Sequence, residues 1–247
     1  MKLSIVIPCY NESQTIESLV NTVLGMPYEN KEIIIVDDGS TDGTKEKLNG
    51  CLEQRVGTII YHEYNQGKGA ALRSGVEAAT GDIIIIQDAD MEYNPYEIPK
   101  VIQPILDGQA DVVYGSRFSG NSSAKFVYVL HLVGNKLLTA LSNLFTRMSL
   151  TDMETCYKAF KADIIRSIRI EEDRFGVEPE LTAKVAKMKC KVVEVSISYS
   201  GRSHEEGKKI KWKDGLYAVW CIIKYNLFYS STGSLFNHTV SACPGKI

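Results

Sequence analysis

The chain has 247 residues, with 28 Lys and Arg against 30 Asp and Glu, and it is 44% hydrophobic and 23% charged. That is the composition of an ordinary globular domain, and it excludes disordered, collagen-like and coiled-coil chains. A net charge of -2 gives no support to a nucleic-acid binder. No stretch reads as a linker, so one domain with one large core is expected over residues 1–226, followed by a polar tail over 227–247.

Met1-Lys2 runs straight into Leu3–Ile7, a strand pattern, and no secretory leader is read there. Leu3–Ile7, Glu32–Val36, Val56–Tyr61, Asp82–Ile86 and Asp111–Tyr114 are short apolar runs rich in β-branched residues, as in strands buried on both faces. Ile16, Leu19, Val20, Val23 and Leu24 form one helical stripe, with Asn11 as its expected N-cap. Further helices are expected over 42–53, from about Gly69, and from Pro95 to Leu106, where Pro99 and Pro104 kink or shorten the last. This alternation predicts an α/β fold, a mostly parallel sheet with helices on both faces, and ligands beyond the carboxyl ends of its strands.

Residues 125–147 read as one or two apolar helices. A membrane span needs about 20 apolar residues; 126–146 come nearest, but His131, Asn135, Lys136 and Asn143 interrupt them. Glu178–Met188 read as a helix, and Val193, Val195, Ile197 and Tyr199 alternate as one half-buried strand. A basic loop follows (Arg202, Lys208, Lys209, Lys211 and Lys213 against Glu205 and Glu206), then a helix with Trp212, Leu216, Val219, Trp220 and Ile223. Six scattered cysteines without a CxxC pair exclude a metal cluster or a disulfide framework and point to reduced thiols. The three glycosylation sequons, at Asn11, Asn121 and Asn237, read as chance without a leader.

Three strand ends carry the polar clusters: Pro8-Cys9-Tyr10-Asn11-Glu12, Asp37-Asp38-Gly39-Ser40, and Gln87-Asp88-Ala89-Asp90-Met91-Glu92. Two carboxylates one residue apart repel unless a cation lies between them, and Mg²⁺ or Mn²⁺ binds through one or two carboxylates plus substrate phosphates. Asp88 and Asp90 suit that role, with Glu92 as a third ligand. Asp38–Asn49 imitates a Ca²⁺ loop but ends in Asn49 instead of Glu and follows a strand. Asn65–Arg73 lacks the third glycine of a dinucleotide fingerprint, yet it opens a helix with small residues and Lys68, which suits an anion. His62, His131, His204 and His238 show no spacing of a catalytic triad.

Taken together and in order, Ile5–Glu12, Val36–Asp42, Asn65–Gly69, Asp88-Ala89-Asp90, Gly115–Phe118, Asp152–Lys158 and Arg174–Glu180 resemble family 2 glycosyltransferases with the GT-A fold, over about residues 3–226. With Arg202 and Lys208 they resemble the branch acting on dolichyl and other polyprenyl phosphates. The resemblance implies a nucleotide-sugar site of Pro8, Tyr10, Glu12, Val36, Asp38, Lys68, Asp88, Ala89, Asp90 and Arg117. It implies Mg²⁺ or Mn²⁺ on Asp88 and Asp90, with Glu92 standing where a family member with Asp-Ala-Asp-Leu-Gln has an amide. Arg117, Arg202 and Lys208 match cations near the acceptor phosphate, and Asp90 and Asp152 are the candidate catalytic carboxylates, Asp152 as base or acceptor-orienting group.

The implied reaction is an inverting transfer of a hexose from GDP- or UDP-sugar to a polyprenyl phosphate, at a cytoplasmic site in peripheral contact with a membrane. Residues 125–147 are open to three placements: against lipid, in the core, or in a homodimer face. A membrane-anchored partner is compatible with the same reading. Two alternatives keep the fold: a hydroxyl acceptor on a saccharide or protein, and a silent nucleotide-sugar-binding subunit. A sugar nucleotidyltransferase is disfavoured because strand one ends in Pro-Cys-Tyr and not in a glycine-rich turn.

Overall fold

The computed structural model describes residues 1–119, 124–125, 129–202 and 212–229. The five early apolar runs form strands β1 (Leu3–Cys9), β2 (Lys31–Asp37), β3 (Thr58–Tyr61), β4 (Ile83–Ile86) and β5 (Val112–Ser116). They join β7 (Lys158–Lys161) and β8 (Val192–Ser196) in a seven-stranded sheet of order β3-β2-β1-β4-β7-β5-β8. All neighbours are parallel except β7, which runs antiparallel to both β4 and β5. The short strands β6 (Ala124–Lys125) and β9 (Tyr199–Ser200) pair with each other outside this sheet.

Period-two alternation divides the sheet between two apolar layers. Leu3, Ile5 and Ile7 of β1 pack with Ile16, Leu19, Val20 and Val23 of α1 (Ile16–Gly25) and with Ile98, Val101 and Ile105 of α4 (Ile98–Leu106). Val6, Ile34, Ile84 and Ile86 face the other way, onto α3 (Lys68–Ala78), α6 (Ala162–Ser167) and α7 (Val177–Lys187). Helices α2 (Thr44–Lys47), α5 (Val129–Thr146) and α8 (Trp212–Ile223) complete the chain.

Several expectations are corrected. Asn11 does not cap α1: it takes a left-handed φ of 51° and its side chain accepts from the Thr41 amide at 2.8 Å, while Thr15 stands at the N-cap. The 42–53 helix is α2 followed by a π turn over Leu48–Leu52, and the segment from Pro95 is a 3-10 turn leading into α4, which runs on through Pro104. Residues 193–199 make two strands, β8 and β9, because the Ile197 amide makes a last bond to Ser116 of β5 and Ser198 then leaves the sheet, its amide donating to Glu97. Lastly, β7 is a strand that no apolar run announced. The expected tail lies outside the described residues from 230 onward.

The topology decides where the site lies. Parallel β1, β2 and β4 end at one edge of the sheet. The antiparallel β7 brings its first residue, Lys158, to that edge, and β5 and β8, reversed again, end there too. Helices α3 and α7 begin at the same edge, with Gly67 (φ +108°) turning the chain into α3 so closely under Asp173 that a Cβ would strike its carbonyl oxygen.

Candidate active site

Five carboxylates meet at this edge, four of them held by a cation and Glu92 by an amide and a hydroxyl. Arg202, just after β9, grips Glu12 through both terminal nitrogens (3.1 and 3.0 Å) and reaches Asp90 at 3.2 Å. Its backbone amide donates to Glu92 at 2.7 Å, and the Tyr199 hydroxyl donates to the other oxygen of Glu92 at 2.7 Å. Glu92, expected as a third metal ligand, thus anchors the 199–202 segment in this structure. Lys68, at the first turn of α3, lies 2.7 Å from Asp88 and 3.2 Å from Glu178 at the start of α7. Burial works against its charge, but Asp88 and Glu178 outweigh that and hold its pKa well above the usual lysine value.

Asp88 and Asp90 are therefore neutralised from within, by Lys68 and Arg202. Their environments differ. Asp90 is pushed up to about 7 by burial and by the charges of Asp88 and Glu92, which Arg202 only partly offsets. Asp88, equally buried, is held low by Lys68. Among the described residues no three His, Cys, Asp or Glu side chains converge as a complete metal cage. A dication shared with a diphosphate needs only one or two protein carboxylates, so the donor set of Asp88 and Asp90 suits it.

Arg117 follows β5 and Asp152 lies on the loop before β7. The carboxylate of Asp152 is wholly buried and accepts from Arg117 three times, from Nε (2.7 Å), Nη2 (2.7 Å) and the backbone amide (2.9 Å). Glu194 of β8 in turn accepts from the amides of Thr151 and Asp152, fixing the loop. The guanidinium lies over the Tyr199 ring, 5.1 Å from its centre, so Arg117 and the 199–202 segment are in contact. With both oxygens on Arg117, Asp152 orients that cation and offers no oxygen to a hydroxyl acceptor in this arrangement.

The strand-two end separates two adjacent carboxylates that the sequence left alike. Asp38 is saturated: it accepts from His62 Nδ1 (2.7 Å), Gln66 N (2.9 Å), Gly67 N (2.7 Å) and Asn65 Nδ2 (3.0 Å) and ties β2 to the turn before α3. Asp37 is as deeply buried, yet neither of its oxygens has a donor in hydrogen-bond geometry. Burial pushes its carboxyl up, with Ser40 and Lys45 offsetting part of the shift. Sequence reasoning chose Asp38 for the nucleotide; in this structure Asp38 is engaged by the turn before α3, and Asp37 is buried beside Ser40.

Behind the Asp-x-Asp lies a group the sequence did not single out. Glu154 is half-buried with Oε1 closed to solvent and unpartnered, and burial and the charge of Glu178 push it up to about 8. Lys158 is buried over the Tyr114 ring and donates to the Thr155 carbonyl, and burial lowers its pKa. Cys156 lies 2.8 Å from Lys68. Pro8, Tyr10, Val36 and Ala89 sit on the same edge, Val36 and Ala89 buried beneath it. Lys208 lies outside the described residues, as do the sequons at 121 and 237.

Comparison with known proteins agrees with this arrangement. Residues 4–169 match the family described as glycosyl transferase family 2. The chain is 32% identical over 212 residues to a UDP-N-acetylglucosamine–dolichyl-phosphate N-acetylglucosaminyltransferase of Methanococcus voltae, covering 78% of this chain and 83% of that protein. It is 28% identical to a dolichol-phosphate mannosyltransferase of Pyrococcus furiosus, covering 84% of this chain but only 59% of that longer protein. Among solved structures, glucosyl-3-phosphoglycerate synthase from Mycobacterium tuberculosis, in complex with Mn²⁺, UDP and glucosyl-3-phosphoglycerate, superposes with a TM-score of 0.72 at 21% identity, over 93% of this chain and 81% of that one. That likeness carries the fold, the GT-A arrangement of sheet and helices. The chain belongs to glycosyl transferase family 2.

Proposed function

We propose that this glycosyltransferase moves a hexose from a nucleoside diphosphate sugar to a polyprenyl phosphate, inverting the anomeric carbon. The observation that carries the reading is the gathering of Asp88 and Asp90 with three cations, Lys68, Arg117 and Arg202, at one sheet edge. The names of the similar proteins, which include undecaprenyl- and dolichyl-phosphate transferases, support the acceptor class. Asp88 and Asp90 would hold Mg²⁺ or Mn²⁺. Such an ion, when bound, offsets the charge that develops on the departing diphosphate.

The chain's own residues do the rest. Arg202 exchanges Glu12 and Asp90 for phosphate oxygens when the donor enters, and Lys68 stays to keep Asp88 ionised. Arg117, held rigid by Asp152, presents a preorganised positive charge toward the reacting phosphates, which lowers the barrier without reorganisation. An incoming lipid phosphate is already ionised and needs no base, in keeping with the engaged oxygens of Asp152. Asp37 and the Tyr10 ring receive the base, Asp37 as an acceptor for its N–H groups.

Asp37→Asn is expected to weaken nucleoside diphosphate binding about 10- to 100-fold, since an amide leaves base N–H groups badly matched. Calorimetric titration with UDP and GDP measures it; unchanged affinity would return the base to Asp38. A hydroxyl acceptor is the second reading, and Glu154 favours it as a half-buried carboxyl with one oxygen that no donor holds. Transfer of labelled sugar from UDP- or GDP-sugars decides between them. Label in an organic-extractable lipid is expected, and label confined to water-soluble glycans would overturn the lipid-phosphate reading.

A further inference from the structure

Helix α5 packs Leu138, Leu141 and Phe145 against the core and still leaves apolar side chains on its outer side. Thr139 and Ser142 are buried, and the Thr139 hydroxyl accepts from the Met153 amide at 3.0 Å, while Leu137 is 66% and Leu144 74% exposed. Neighbouring α8 presents Leu216, Tyr217 and Trp220 outward, and Leu227 and Phe228 follow on the turn after it. Of the twelve large apolar side chains exposed among the described residues, eight belong to α5, α8 and that turn, and α5 and α8 are in contact, so the exposure is concentrated in one region of the chain. A patch of this kind marks a docking surface.

Its charge selects the partner. From residue 126 to 151 the chain holds Lys136 and Arg147 and no carboxylate, and both cations are exposed; on α8 Lys213 is exposed and the adjacent Asp214 half-buried. Two copies meeting face to face across a twofold axis would bring these cations together. An anionic bilayer surface accepts them, with leucines in the headgroup boundary, Trp and Tyr at the interface and Lys and Arg among the lipid phosphates. The patch also adjoins the site: Lys136 Nζ lies 5.8 Å from the centre of the Phe118 ring, next to Arg117.

We propose that the outward face of α5 and α8 seats on an anionic membrane surface and so sets Arg117 beside the plane where lipid phosphates lie. This deepens the lipid-phosphate reading, but its test needs no turnover. The full chain is floated with phosphatidylcholine vesicles and with vesicles containing about 30% phosphatidylglycerol, beside a Leu137→Ser/Leu144→Ser/Trp220→Ser variant and an Arg147→Glu variant. The wild type is expected to bind the anionic vesicles. The triple variant should lose on the order of a hundredfold in partitioning, and Arg147→Glu several-fold on anionic vesicles alone. Unchanged thermal midpoints and unchanged UDP or GDP binding in both variants establish that the loss comes from the surface.

Absence of vesicle binding by the wild type overturns the proposal. So does a wild-type dimer that the triple variant dissociates, or vesicle binding that appears only after removal of residues 230–247. Vesicle binding that persists while no lipid-linked sugar forms supports the surface and overturns the acceptor reading alone.

Discussion

Asp152→Ala is expected to destabilise the folded chain by about 3–5 kcal/mol, because it strands a buried guanidinium. Arg117 is only 6% exposed, and its Nε, Nη2 and backbone amide all donate to that one carboxylate. Urea unfolding of the single variant and of Asp152→Ala/Arg117→Met separates the pair's net worth from the stranded charge. The double variant should recover at least about half of the loss, since removing both partners of a buried pair costs far less than removing one. A single variant within about 1 kcal/mol of wild type would show that Arg117 finds water or another partner, which would remove the physical basis for treating it as a fixed positive group. A carboxylate acting as general base predicts the opposite pattern: intact stability and lost turnover.

Asp90→Asn should reduce turnover by about a thousandfold, the order expected when a group stabilising developing transition-state charge is removed. The same change should stabilise the metal-free protein, and the sign follows from linkage. Asp90 titrates at about 7 in the folded chain against an ordinary 3.8, so the folded state binds the extra proton between those values. Stability attributable to this residue therefore falls as pH rises from about 4 to about 7, and its full penalty is felt above that. Thermal unfolding without metal should find the Asn variant ahead at about pH 8 and level with wild type below about pH 4. Mn²⁺ competes with the proton on Asp90, so its apparent affinity for the wild type should climb about tenfold per pH unit up to about 7 and then level off. Wild-type turnover by the Asn variant would sink the assignment of Asp90, and loss of turnover excludes a silent nucleotide-sugar-binding role.

The parallel half of the sheet and the polar edge were legible because a strand buried on both faces has no choice of composition, and because Asp, Gly and Asn crowd the turns that follow. What escaped was set by neighbours distant in sequence. Lys158-Ala159-Phe160-Lys161 contains no apolar run, two lysines framing two apolar residues, yet Lys158 is buried over Tyr114 and between β4 and β5. Asp37 and Asp38 are equivalent as letters. Strand parity and the turn at 62–67 make one a knot and leave the other buried without a donor. Lys68 invited a phosphate and met Asp88, because β4 and α3 end and begin at the same edge.

The inserted antiparallel strand also governs how the chain is made. β4 and β5 are successive strands, separated only by α4, but they do not pair; both wait for residues 158–161. On the ribosome, the chain must emerge as far as Lys161 before the central gap closes, and until then the facing edges of β4 and β5 lack their partner. Edges of that kind invite mispairing with other chains. Nascent chains stalled short of Lys158 are the form of this enzyme most in need of a chaperone.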